Sequence, residues 1–221
     1  MITVSTEDYL KVIYNETRSC GEAVSTSKLA QKLEISSAAI SDMVKKLAKQ
    51  GYVEYAKYKG MVLTRKGEKI ALKVIRRHRL WEAFLIKSLG FSWSEVHQLA
   101  EKLEHNSPDI LIEKIDEYLG YPEYDPHGHP IPKNNGEMPK LTGLISLDNG
   151  VKGKKYQIEI VDDSSEELIN YFTKIGVILH RVVVLKDRLS FDNSCLVQIG
   201  KSEYSLSELM TKKLFVTEVS N

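Results

Sequence analysis

The segment VSTSKLAQKLEISSAAISDMVKKLAKQGYV constrains the fold of this chain more than any other. Ser25 to Ser27 can cap a short helix carrying Leu29, Ala30 and Leu33. Ile35 then leads into Ser36 and Ser37, which can cap a second helix with Ile40, Met43, Val44 and Leu47 turned inward; Gly51 ends it. Two short helices joined by a tight turn form a helix-turn-helix. An amphipathic helix precedes the pair, with Thr6 as the expected N-cap and Tyr9, Leu10, Ile13 and Tyr14 as its apolar stripe. After the pair, YVEYAKYKGMVLT alternates around Lys59–Gly60 and predicts a two-stranded wing.

The second helix leaves Ser36, Ser37, Ala38, Ser41, Asp42, Lys45 and Lys46 at its start and outer face, and the wing adds Lys57 and Lys59. Small hydroxyl side chains can enter a major groove while lysines reach phosphates. The bland alternative is a helical pair with a solvated lysine face. The order helix, turn, helix, basic wing favours DNA. Charge distribution agrees: the formal net charge is only +1, but residues 1–75 hold 13 Lys/Arg against 8 Asp/Glu and residues 76–150 hold 8 against 12. A basic head can approach a polyanion, and an acidic middle can hold a cation.

Further helices are expected over 66–89, over 93–106 (opened by a Ser92/Glu95 capping box) and over 109–119. Their apolar surface is expected to include a subunit interface, since such DNA readers generally work as two-fold dimers. A Pro-, Gly- and Asn-rich loop follows. The runs KYQIEIVD, RVVVLKD, CLVQIG and LFVTEV, with a helix over 166–175, then predict a small β-barrel. The fold class expected is mainly α with a small β part. It comprises a winged helix-turn-helix domain over 1–73, a helical metal-binding and dimerisation domain over 74–142, and an SH3-like (FeoA-like) domain over 151–221. No apolar run approaches the roughly 20 residues of a membrane span. The N-terminus is amphipathic and acidic, unlike a signal peptide. Two cysteines, Cys20 and Cys195, far apart and without a C-x-x-C, leave a reducing cytoplasm as the default.

Polar residues cluster in the middle third. His97, Glu101, Glu104 and His105 fall in one sector of a helix. His78 and Glu82 are spaced i, i+4, and Asp125 and His127 share a loop; His129 brings the histidines of this third to five of the chain's six. Imidazole and carboxylate without thiolate suit a borderline-to-hard divalent metal. One helix rarely closes a coordination sphere, and Asp8 is the natural partner from elsewhere. The alternative, solvated Glu and His on an exposed helix, weakens because so many donors lie in one region.

These residues carry a resemblance. EDYLKVIY, the helix-turn-helix, RRHRLWEAFL, WSEVHQLAEKLEH and YPEYDPHGHPIP together resemble the diphtheria-toxin-repressor family of metal-dependent bacterial transcription regulators, and within it the manganese-responsive branch. The resemblance covers nearly the whole chain. It implies a core metal site of Asp8, Glu101, Glu104 and His105. Carboxylates stand where iron-sensing relatives have Met and Cys, which turns the preference towards Mn(II). Lys11 stands where some manganese sensors have a Glu, against a two-metal core site. The second site implied is either His78, Glu82 and His97, or Glu82, Asp125, His127 and an acidic residue, Asp163 or its neighbour Asp162.

The function implied is a homodimeric, cytoplasmic repressor of metal-uptake genes that binds a palindromic double-stranded operator with Mn(II) as co-repressor. Fe(II) is the second choice of ion, and Zn, Cd and Co are expected to bind in vitro. The competing readings are a winged-helix regulator responding to iron or to a small organic ligand, and a metalloenzyme. The enzyme reading is disfavoured, because no H-E-x-x-H, nucleophile elbow or P-loop occurs and Glu104 adjoins His105 without the E-x-x-H spacing of di-iron helices.

Overall fold

The computed structural model describes residues 3–56 and 59–219, and of Ser19 and Cys20 only the backbone. The chain forms two compact units: Met1–His78 with Leu103–Ser107 and Pro132–Glu137, and Arg79–Lys102 with Pro108–Ile131 and Met138–Asn221.

The first unit opens with α1 (Val4–Cys20), capped by Thr3, whose side chain accepts from the Thr6 N–H. The helix therefore starts a turn earlier than the sequence suggested. Thr6 is buried in its first turn, with its hydroxyl 2.9 Å from that of Thr3. Next come α2 (Thr26–Leu33) and α3 (Ser37–Lys49), capped by Ser25 and Ser36 as their spacing predicts. Between them Glu34 takes a left-handed conformation at φ 55°, which turns the chain within two residues. Leu10, Ile13, Leu29, Ile40, Val44 and Leu47 are fully buried and form the three-helix core. Glu16 of α1 reaches Lys28 at 2.7 Å and Lys32 at 3.3 Å on α2.

The wing is β1 (Val53–Ala56) against β2 (Gly60–Leu63), antiparallel, with Ala56 opposite Gly60. Val24 adds a third rung through two hydrogen bonds to Met61. Gly60 is required there: its φ is +89°, and a Cβ would stand 2.7 Å from the Val24 carbonyl oxygen. The 25-residue α4 (Arg65–Leu89) follows.

The second unit holds two small cores. Leu80, Ile112, Ile115 and Ile131 pack together with Trp81, Phe84 and Leu119 around the end of α4 and α6 (Asp109–Tyr118). Ile110, Tyr118 and Tyr121 remain exposed. Between α4 and α6 lies α5 (Val96–Glu104). It is shorter at both ends than expected. Ser92 and Glu95 do form a capping interaction, the Glu95 carboxylate accepting the Ser92 N–H at 3.0 Å, but residues 93–95 make a turn before the helix opens.

The other core belongs to an antiparallel six-stranded sheet. Its order is β3 (Ile145–Ser146), β8 (Leu214–Glu218), β4 (Lys155–Val161), β5 (Val182–Arg188), β6 (Cys195–Ile199) and β7 (Ser202–Leu206). Ile169 and Phe172 of α7 (Glu166–Ile175) pack onto Tyr156, Ile158, Leu185, Val197 and Val216. The alternating strands and α7 stood in the sequence. The short β3, the polar β7 and the four-residue α8 (Glu208–Thr211) carried too little apolar pattern to be read. No helix among the described residues is long and apolar enough to cross a membrane.

Candidate metal centre

In the first unit, α1 and the end of α5 bring Asp8, Glu104 and His105 together. His105 lies in the turn just past α5, which the Ser107 hydroxyl tightens by donating to the Leu103 carbonyl at 2.7 Å. His105 Nε2 stands 2.8 Å from Asp8 Oδ1 and 3.2 Å from Glu104 Oε1. The three residues offer donor atoms all within 4.8 Å of one another. Ligands bound at about 2.0–2.2 Å to one ion stand roughly 3–4 Å apart, so this spacing fits a single divalent cation.

Glu104 is fully buried, which would be costly without compensation. Lys11 Nζ donates to both of its oxygens, at 2.9 and 3.0 Å, and His78 Nδ1 lies 2.6 Å from Oε2. His78, which one of the expectations gave to the second site with Glu82 and His97, makes this contact from one helical turn before Glu82 on α4. Glu7, absent from the donors expected on sequence grounds, holds the other face of His105: its Oε2 is 2.7 Å from Nδ1. Its only signal in the sequence was adjacency to Asp8. Glu101 lies one helical turn before Glu104 but belongs to the second unit, with Oε1 3.9 Å from His97 Nε2.

The second unit gathers Glu82 of α4, His97 of α5, Asp125 and His127 of the loop, and Asp163 just beyond β4. Asp125 Oδ1 accepts the backbone N–H groups of His127 and His129 at 2.8 and 2.9 Å, a local turn that aspartate makes readily. Gly128 then presses the loop onto β4. At φ +90° its absent Cβ would lie 1.9 Å from the Glu159 carbonyl oxygen, so another side chain would collide with backbone. Beside it, the Val161 N–H donates to the His127 carbonyl at 2.9 Å.

The His127 ring stacks on Trp93, with centroids 5.1 Å apart, and Nε2 donates to the Trp93 carbonyl at 3.1 Å. In the neutral ring that bond leaves Nδ1 as the lone-pair nitrogen. Nδ1 is buried and makes no hydrogen bond among the described residues; Glu82 Oε2 and Asp163 Oδ2 each lie 3.7 Å away. Asp125 Oδ2 is likewise buried without a hydrogen bond, 3.4 Å from His129 Nδ1 and 3.7 Å from Arg79 Nε. Glu82, Asp125 and His127 offer donors within 4.8 Å of one another. His97 Nδ1 faces Glu82 at 3.4 Å and Asp163 at 3.5 Å. Buried nitrogen and oxygen lone pairs that converge in this way fit a cation.

Of the two neighbouring aspartates, Asp162 binds Lys213 at 2.8 Å and the Ser164 N–H at 3.1 Å, while Asp163 faces the histidines. Electrostatics mark the same cluster. Burial disfavours the charged His97 ring, but Asp163 and Glu82 outweigh it and raise its pKa to about 10. Against burial, Glu82, Asp163 and Asp125 raise His127, and Asp125 and Asp163 raise His129. Burial acts against the Asp163 carboxylate, yet the surrounding histidines hold its pKa well below the usual carboxylate range.

On the helix-turn-helix, Ser36, Ser37, Ala38, Asp42, Lys45 and Lys46 are exposed on one side of α3, as is Lys59 at the wing tip. Ser41 is half-buried and its hydroxyl donates to the Ser37 carbonyl at 2.8 Å, and Lys45 reaches Asp42 at 3.2 Å. Lys57 lies outside the described residues.

The chain matches three families in succession. Residues 1–61 match "Iron dependent repressor, N-terminal DNA binding domain", residues 64–133 "Iron dependent repressor, metal binding and dimerisation domain", and residues 145–218 "FeoA domain". The HTH-type transcriptional regulator MntR of Oceanobacillus iheyensis is 37% identical over 121 residues, covering 55% of this chain and 81% of that protein. The Bacillus subtilis MntR is 36% identical over 125 residues, 57% of this chain and 87% of that one. A solved "Manganese-dependent transcriptional repressor complex with manganese" superposes with a TM-score of 0.91 at 34% identity, covering 97% of this chain and 100% of that one. These relatives are transcriptional regulators and not enzymes, in agreement with the reading of the motifs.

Proposed function

Because the chain belongs to the diphtheria-toxin-repressor family of metal-dependent DNA-binding repressors, we propose that it is a homodimeric repressor of metal-uptake genes with Mn(II) as co-repressor. Three domains, 1–73, 74–142 and 151–221, divide the work of reading DNA, dimerising and supplying a remote ligand. The palindromic operator is read by α3 through Ser36, Ser37, Ala38, Ser41, Asp42, Lys45 and Lys46, with Lys57 and Lys59 on the wing.

One observation carries the reading. Asp8, on the helix that packs against the helix-turn-helix, converges with Glu104 and His105 on one small volume. Asp8, Glu104 and His105, with Glu101 one turn away, form the proposed core set. Glu82, His97, Asp125, His127 and Asp163, with His78 one turn before Glu82 on α4, form the second. A bound divalent ion supplies two positive charges and directional bonds to oxygen and nitrogen donors. Neither set contains a thiolate, so oxygen-preferring Mn(II) is favoured and Fe(II) is the next candidate.

Asp8 and the buried Glu104 bring like charges into one small volume and repel one another, and Lys11 donates to both Glu104 oxygens. Relief of that repulsion holds α1 against the end of α5 and favours the arrangement that reads DNA, a population shift. In a two-fold dimer the two α3 helices must then match half-sites about 34 Å apart. Linkage requires operator DNA to tighten ion binding by the same factor, typically about 5–150-fold.

The test begins with metal-stripped full-length protein and a random DNA pool selected with Mn(II). Binding of the selected duplex, followed by fluorescence anisotropy, should require Mn(II) and be lost in Asp8→Ala. Equal affinity in a chelator and in Mn(II) would reject the co-repressor reading and return the small-organic-ligand regulator.

A further inference from the structure

Glu7 belongs to neither donor set, yet it makes the shortest contact of the His105 ring. Its Oε2 lies 2.7 Å from Nδ1, while Asp8 Oδ1 lies 2.8 Å and Glu104 Oε1 3.2 Å from Nε2. Adjacent residues of α1 therefore grip opposite nitrogens of one imidazole. An ionised carboxylate only accepts, so Glu7 can hold a proton on Nδ1 while Asp8 and Glu104 face Nε2. With Nδ1 turned to Glu7, Nε2 is the nitrogen left to a cation, beside two further carboxylate oxygens.

Glu7 is itself held: its Oε1 stands 3.8 Å from Arg77 Nη1 of α4, and both side chains are 16% exposed, enough shielding to keep the pair in place. A carboxylate that fixes the tautomer and orientation of a ligating histidine is a recurring feature of metal sites, and its loss typically costs about 10–100-fold in metal affinity.

We propose that Glu7 is a positioning residue for the core site, holding His105 as the Nδ1–H tautomer with Nε2 presented to the cation. The proposal rests on the core-site reading above. It separates two tasks along α1: Asp8 supplies a ligand, and Glu7 tunes how tightly the ion is held. Loss of Glu7 should therefore shift the ion concentration needed for operator binding without lowering the level reached at saturation.

The experiment compares full-length, metal-stripped wild type with Glu7→Ala, Glu7→Gln and Asp8→Ala. Mn(II) is titrated by calorimetry, and 15N-histidine spectra of the metal-free proteins report which ring nitrogen of His105 carries the proton. The wild type should show the proton on Nδ1. Glu7→Ala should weaken the core ion about 10–100-fold and shift the operator-binding midpoint by the same factor, with an unchanged plateau. Glu7→Gln, which keeps an acceptor oxygen, should fall between the two.

A folded Glu7→Ala with wild-type affinity would overturn the proposal. If that variant does not fold, the spectrum of the wild type decides, because a proton on Nε2 of neutral His105 overturns it equally. Asp8→Ala separates the two levels. If it binds as many ions as wild type, the core-site reading fails; if it loses one while Glu7→Ala is unchanged, only the role of Glu7 fails.

Discussion

The Val161 N–H donates to the His127 carbonyl oxygen at 2.9 Å, which fastens a loop histidine to a strand of the C-terminal sheet. Through this bond the sheet acts on a loop that precedes it in the chain. Asp163, two residues past Val161, is thereby delivered to within 3.7 Å of His127 Nδ1.

Gly128→Ala should uncouple that loop. Its Cβ would meet the Glu159 carbonyl oxygen at 1.9 Å, and the +90° φ adds strain on the order of 1–3 kcal/mol. Thermal unfolding should show the loss of stability, and Mn(II) stoichiometry should fall by the second-site ion. A variant with full stoichiometry would show that the loop is not what presents Asp125 and His127.

Asp163→Ala and Asp162→Ala should behave differently despite being neighbours. Asp163 faces three histidines, whereas Asp162 is tied to Lys213 and Ser164. The first change should weaken the second-site ion by about tenfold or more, and the second should leave it near wild type. Calorimetry of both variants checks the contrast.

Ion binding at the second cluster should release protons. His97, raised to about 10, is protonated at neutral pH in the metal-free protein, and a ligating nitrogen must give up its proton. The apparent enthalpy of Mn(II) binding at pH 7 should therefore vary with the ionisation enthalpy of the buffer. In His97→Ala that dependence should diminish.

Glu16→Gln should lower stability in a pH-dependent way. Burial alone would raise the Glu16 pKa, but hydrogen bonds and charge from Lys28 and Lys32 outweigh it and leave the pKa below its ordinary value. A depressed folded pKa contributes stability above the unfolded pKa and loses it as pH falls through the folded one. The deficit of the variant, on the order of 1 kcal/mol or less after solvent screening, should be present at pH 7 and vanish in acid. Urea unfolding at pH 7 and at about pH 3 tests this sign.

Lys45→Ala should weaken binding to all DNA sequences and reduce the salt slope by about one unit, the change expected when one phosphate is no longer neutralised. Lys45 is exposed and pairs only loosely with Asp42, an i, i+3 pair at 3.2 Å that DNA can readily displace. An unchanged slope would remove Lys45 from the interface.

Local chemistry made much of this chain legible. Ser25 and Ser36 cap their helices because a hydroxyl just before an apolar-periodic run satisfies free N–H groups whatever surrounds it. Gly60 was read as the wing turn for a similarly local reason. Boundaries were less legible: Thr3 displaced Thr6 as the cap of α1, and α5 begins at Val96 after a three-residue turn. Both are competitions between neighbouring starts that differ by little free energy, and packing settles them.

The donor residues themselves were determined by sequence. Imidazole and carboxylate without thiolate restrict the ion, and the i, i+3 spacing of Glu101 and Glu104 follows from helix geometry alone. The grouping of those donors was decided by tertiary structure. His78 Nδ1 met Glu104, Asp163 rather than Asp162 turned to the histidines, and Glu7 took His105 Nδ1. Helix periodicity specifies which side chains share a face, but a coordination volume is bounded by elements distant along the chain. Their separation is set by core packing, by Gly128 against Glu159 and by hydrogen bonds such as Val161 to His127, and no spacing in the sequence encodes it.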